Sequence, residues 1–130
     1  MPNKQTALAM IDDFISSVPQ LEALLLLRAN PGREYTPEQV SIHIFTGVQG
    51  AKEALFTLYR AGFLTRIARP PQFVYQYQPK ELGLAAEVDM VAELFKKDHA
   101  EVLEHIFNKP RKDDFYAAFS EKYKFNISGD

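Results

Sequence analysis

Residues 36–78 constrain this chain more than any other stretch, because a helical period gives way there to a strand period. Thr36-Pro37-Glu38-Gln39 carries a good N-cap, a proline at the first helical position and a glutamine three residues after the cap. Val40 and Ile44, with Phe45 as a further candidate, then form an apolar stripe at helical spacing. Gly47 interrupts that stripe and is expected to mark a turn. A second helix is expected over residues 48–61, with Val48, Ala51, Leu55, Leu58 and Tyr59 on one face. Gly62 is placed to end it in a left-handed conformation. Residues 63–67 and 73–78 are β-branched and aromatic, as strands tend to be, and Arg69-Pro70-Pro71-Gln72 separates them.

The run Ala54-Leu55-Phe56-Thr57-Leu58-Tyr59-Arg60-Ala61-Gly62-Phe63-Leu64, followed by a hairpin, resembles the winged helix-turn-helix family at the junction between recognition helix and wing. With the preceding helix over residues 20–30, the resemblance covers about half of the chain. It implies a mainly α fold with a small β-hairpin. It does not fix a function, because winged helices bind DNA, RNA and other proteins. In DNA-binding members, residues early in the second helix enter the major groove. The face opposite the core stripe carries Gln49, Lys52, Glu53, Phe56, Thr57 and Arg60. Gln49 suits an adenine edge, and Lys52 a guanine edge or a phosphate. Arg66 and Arg69, at the base and tip of the wing, suit phosphate or the minor groove. The expected DNA contacts are therefore Gln49, Lys52, Thr57, Arg60, Arg66 and Arg69. Glu53 opposes phosphate unless it reads a cytosine. Phe56 either turns into the core or marks a protein contact. The plainer reading of the whole face is a solvated helix surface. Phe73, Tyr75 and Tyr77 share one hairpin face by period two. They stack on bases or, as preferred here, pack on the helix beneath.

Charge tempers the nucleic-acid reading. The chain has 130 residues and a net charge of −2, whereas nucleic-acid binders tend to be basic. Residues 36–78 are the one positive segment, with Lys52, Arg60, Arg66 and Arg69 against Glu38 and Glu53. The 46% apolar and 25% charged residues are a globular composition. Absent cysteines exclude disulfides and thiolate metal sites, which fits a cytoplasmic location. Neither a transmembrane run nor a signal peptide is expected from the sequence.

The flanks read as helices. Leu8, Ile11, Phe14 and Ile15 define a helix over residues 4–16, broken by Ser17-Val18-Pro19. The helix over 20–30 holds Leu24-Leu25-Leu26-Leu27, too many leucines for one narrow stripe. It is either the centre of the core, the favoured reading, or it meets a partner. Asn30-Pro31-Gly32 stops it, and Glu34-Tyr35 suits a very short strand joining the hairpin. Residues 79–108 read as one long helix with Leu84, Val88, Val91, Leu94, Phe95, Val102, Leu103 and Ile106 on its stripe. About 25 such residues span roughly 40 Å, more than a small core covers. A homodimer through this helix is therefore expected. The alternative is a fold-back onto the N-terminal helix, or a kink near Asp98. Asp113-Asp114 suits the cap of a short last helix over 115–123, ahead of a tail. The expected organisation is a winged helix-turn-helix unit over 1–78 and a helical extension over 79–130, packed together.

No catalytic constellation emerges. His43, His99 and His105 do not share a helical face, and Glu101 with His105 reads as a surface pair rather than a metal site. Gly47-Val48-Gln49-Gly50 matches no phosphate loop. Neither cofactor nor metal is expected. The leading expectation is a non-enzymatic, dimeric, DNA-binding transcriptional regulator. The other is a winged helix that binds a protein partner instead.

Overall fold

The computed structural model describes residues 4–108. Their order is α1 (Lys4–Phe14), α2 (Val18–Ala29), α3 (Pro37–Ile44), α4 (Val48–Ala61), β1 (Leu64–Arg69), β2 (Gln72–Tyr77), α5 (Leu82–Lys97) and α6 (His99–Asn108). The expected last helix over 115–123, its Asp113-Asp114 cap and the tail after it lie outside the described residues.

Local chemistry explains most boundaries. Thr36 Oγ1 accepts from the Gln39 amide at 3.1 Å, and Gln39 Oε1 accepts from the Thr36 amide at 2.9 Å. That reciprocal box fixes the start of α3. The turn into α4 is made by Phe45, which adopts the left-handed conformation at φ 54°, so that Gly47 becomes the N-cap of α4. Phe45 is thus not on the α3 stripe, as the sequence allowed, but 94% exposed. Gly62 ends α4 at φ 98°. Ser17 does not merely break the chain: its hydroxyl accepts from the Gln20 amide at 3.3 Å and caps α2, with Pro19 in the first turn.

The hairpin is antiparallel, with Leu64 opposite Tyr77, Arg66 opposite Tyr75 and Arg69 opposite Gln72. Pro70-Pro71, joined by a cis peptide bond, form the turn. Tyr35 adds a single antiparallel bridge to Tyr75, through amide-to-carbonyl bonds of 2.8 and 2.9 Å. This is the short strand anticipated at Glu34-Tyr35.

One hydrophobic cluster joins the helices. Leu21, Leu24 and Leu27 of α2 are fully buried with Leu55 and Leu58 of α4 and Val40 of α3. Leu25 and Leu26 are half-buried against the same core, so α2 takes the central place favoured for it. Ala7, Met10 and Ile11 of α1 pack on α5 and α6.

The expected continuous helix over 79–108 is corrected. It starts at Leu82 and breaks at Asp98, whose backbone turns to φ −152°. Asp98 Oδ1 accepts from the Glu101 amide at 3.2 Å, so a carboxylate caps a new helix in place of continuing the old one. The break lets α6 return to α1. Lys4 Nζ meets Glu101 Oε2 at 2.7 Å, and His105 Nε2 meets Asp12 Oδ1 at 2.7 Å. The anticipated Glu101–His105 pairing is therefore replaced by two pairs to α1. Val88, Val91, Val102 and Ile106 are buried within the single chain. The apolar stripe that suggested a second copy is covered, to that extent, by the fold-back.

Candidate nucleic-acid interface

The spacing of α4 sorts its residues with one correction: Val48, expected on the core stripe, is exposed at the start of the helix. Ala51, Ala54, Leu55 and Leu58 face the core. Gln49, Lys52, Glu53, Phe56, Thr57 and Arg60 all face solvent. A helix packed on α2 and α3 along one side thus presents a polar row along the other. Gln49 Nε2 donates to Glu53 Oε2 at 3.3 Å. Among the described residues, Lys52 and Arg60 have no carboxylate partner. The two cations are eight residues apart, both on the solvent side of the helix.

The hairpin stands beside this row, and its two arginines differ sharply. Arg69, next to the turn, is bound to Glu34 in a two-point pair: Nη2 donates to Oε2 at 2.7 Å and Nε to Oε1 at 3.1 Å. The Arg69 hydrogen bond holds the Glu34 carboxyl below the usual carboxylate range, partly opposed by desolvation. The same contact raises the Arg69 pKa further above its ordinary value. Arg66, three residues earlier, turns inward. Its guanidinium carbon lies 4.3 Å from the Phe73 ring centre, 4.7 Å from Tyr59 and 5.7 Å from Phe56.

Phe56 does not rotate into the core. It is 41% exposed, lies 6.1 Å from Tyr59, and has Arg60 above its ring at 5.8 Å. Of the hairpin aromatics, Tyr75 is buried against Tyr59 at 6.4 Å, Tyr77 is half-buried, and Phe73 is 46% exposed near the turn. The preference for packing over base stacking fits Tyr75 and Tyr77. Phe73 instead helps line a cleft with Pro37, Lys52, Phe56, Gln72 and Tyr75.

Sequence reasoning named the six polar positions but missed two associations. The Arg66 cluster was within reach: a turn centred on Pro70-Pro71 sets Arg66 opposite Tyr75 and one diagonal step from Phe73. The Glu34–Arg69 pair spans 35 positions and has no local signal. No group of three His, Cys, Asp or Glu side chains among the described residues could hold a metal ion. No described helix is long and apolar enough to cross a membrane.

No protein-family model matches the sequence. No curated protein matches it either. Solved structures do. A MepR mutant from S. aureus bound to an oligodeoxyribonucleotide aligns at TM-score 0.55 and 12% identity, covering 98% of this chain and 89% of that one. A MarR family protein from Bacillus stearothermophilus aligns at 0.52 and 15% identity, over 96% of this chain and 83% of the other. A transcriptional regulator from Thermotoga maritima aligns at 0.52 and 12%, over 98% and 88%. These likenesses run through the flanking helices as well as the central unit. With the polar face of α4 beside a two-stranded hairpin, they identify the fold of this chain as a winged helix-turn-helix.

Proposed function

We propose that this protein is a transcriptional regulator that binds duplex DNA through α4 and the hairpin. The observation that carries the reading is the outward row of α4, where Lys52 and Arg60 have no carboxylate partner among the described residues and stand beside Thr57 and Gln49. Lys52 and Arg60 supply charge for phosphates, Gln49 and Lys52 reach base edges, and Arg69 stands at the hairpin turn, where exchanging Glu34 for a phosphate would bring it to the backbone. The MepR structure holds an oligodeoxyribonucleotide on the same fold, which supports the assignment. The active form in this reading is a cytoplasmic homodimer, with two α4 helices meeting half-sites about 34 Å apart. Exposed Leu82 and Phe107 lie on the helices expected to form the pair. No catalytic role is assigned.

The test is a duplex titration, with a random-sequence duplex pool as the probe. Replacing both Lys52 and Arg60 by alanine should weaken binding and lower the salt slope by about 0.9 for each phosphate that is no longer neutralised. An unchanged slope, or a wild-type protein that retains no duplex at low salt, overturns the reading. Sedimentation velocity should give twice the 14.8 kDa chain mass; a monomer at micromolar concentration removes the dimer.

The second reading is a winged helix that docks a protein and no DNA. Ile42 at 73% and Phe45 at 94% exposure, beside the turn between α3 and α4, favour it, as does the acidic pI of 5.9. Stoichiometric capture of one protein, with no retention on duplex, decides for it.

A further inference from the structure

The hairpin arginine nearest the helix is poorly placed for the contact its position suggests. Strand alternation and the observed register set Leu64, Arg66 and Ala68 on one hairpin face with Tyr77, Tyr75 and Phe73. That face meets α4, where Phe56 and Tyr59 are three residues apart and side by side. The Arg66 guanidinium fills the junction, with Phe73 from the hairpin on one side and Tyr59 and Phe56 from the helix on the other. Arg66 is half-buried there, and among the described residues it has no carboxylate partner. A guanidinium is weakly hydrated and stacks well on ring faces, so this setting suits it. Contacts to rings on two elements tie the guanidinium to the junction of helix and hairpin, and among the described residues no hydrogen bond directs it elsewhere.

We propose that Arg66 is a positioning residue: it fixes the hairpin against α4, and so sets where Arg69 stands relative to Lys52 and Arg60, without itself touching DNA. This rests on the regulator reading above for its consequence, but not for its geometry. The same rings, Phe56 and Phe73, form walls of the cleft that Lys52 borders. Their fixed separation keeps the helix row and the hairpin turn at one spacing, which a rigid duplex requires.

Three variants separate positioning from phosphate contact. Arg66→Met keeps a long unbranched stem and gains favourable sulfur–ring contacts, but has no charge. Arg66→Lys keeps the charge but loses the planar fork. Arg66→Ala loses both. The expected result is that Arg66→Met binds a random duplex pool within about twofold of wild type with an unchanged salt slope. Arg66→Ala should bind about tenfold more weakly, the change that 1.4 kcal/mol represents. If Arg66→Met instead lowers the slope by about 0.9 while Arg66→Lys restores wild-type behaviour, Arg66 contacts phosphate and the proposal falls.

Hydrogen exchange on the free protein supplies a readout that needs no DNA. Arg66→Ala should speed exchange at the hairpin amides of residues 68–73 while α2 and α4 keep their protection, and Arg66→Met should not. Unchanged hairpin exchange in Arg66→Ala overturns the brace. A wild-type protein that holds no duplex would fail the regulator reading, and the exchange result would then decide the brace alone.

Discussion

Replacing Glu34 by glutamine tests how the hairpin turn engages DNA. In the folded chain the Glu34 carboxylate occupies the Nε–Nη2 edge of the Arg69 guanidinium, an edge on which a phosphate could be held by two bonds, at 3.1 and 2.7 Å. A phosphate must either displace Glu34 from that edge or take the Nη1 side next to a competing negative charge. Glutamine keeps the shape and one acceptor but removes the competing charge, so Arg69 becomes free for one phosphate. One added phosphate contact steepens the log-log salt dependence by about 0.9. Between 50 and 200 mM salt, that is an extra loss of about 3.5-fold in affinity, with the variant binding more tightly than wild type at the low-salt end. Fluorescence anisotropy of a labelled duplex, titrated at four salt concentrations, measures both quantities. The pair lies at the surface, so the substitution should leave the fold intact. Acid stability offers an internal control. Because Arg69 depresses the Glu34 pKa, the stabilisation from the pair is complete above the ordinary carboxylate range. It is lost as pH falls through the depressed value. Wild type and E34Q should therefore converge in stability under acid and separate at neutral pH. A variant with weaker duplex binding and an unsteepened slope would refute the competition argument and show that Glu34 holds Arg69 in its working position.

Two further outcomes follow from local geometry. Phe45→Gly should stabilise the protein: relief of a left-handed non-glycine residue is worth about 1–2 kcal/mol, less about 0.4–1 kcal/mol of added unfolded-state entropy; a lower urea midpoint would contradict this. Tyr77→Phe should be neutral or stabilising by up to about 1 kcal/mol, because the Tyr77 hydroxyl is buried with no hydrogen-bond partner among the described residues. Burial foremost, and then Asp89, raises that phenol's pKa; a Tm drop in Tyr77→Phe would show that the hydroxyl contributes.

Much of this architecture was legible because its signals are local. The capping box at Thr36 and Gln39, the apolar positions of α4 and the glycine that ends it are each written within four residues of one another. These fixed α4 at Val48–Ala61 and so identified its solvent row. The break at Asp98 was legible too, since Asp98 followed by Glu101 has the form of a helix start. The apolar stripe running through it outweighed that sign, because periodicity alone does not register a cap. Phe45 in the left-handed turn was not legible: phenylalanine is a poor residue for that conformation, and tertiary packing of α3 against α4 overrode propensity. At the interface, the sequence supplied which side chains face outward but not which of them already hold partners. Arg66 and Arg69 look alike in the sequence, and only the fold makes one a packing element and the other an ion-pair partner.

The pairing of α1 with α5 and α6 has a consequence for synthesis. Ala7, Met10 and Ile11 leave the ribosome long before the segment that covers them. At ~5–20 residues per second, the 71 residues that follow Ile11 up to Leu82 take on the order of 4–14 s to translate. The helix-turn-helix and hairpin can condense in that interval, while the first helix waits with an oily side uncovered. Nascent chains stalled before residue 82 would be the ones a chaperone holds, and release should coincide with the arrival of Val88 and Val91.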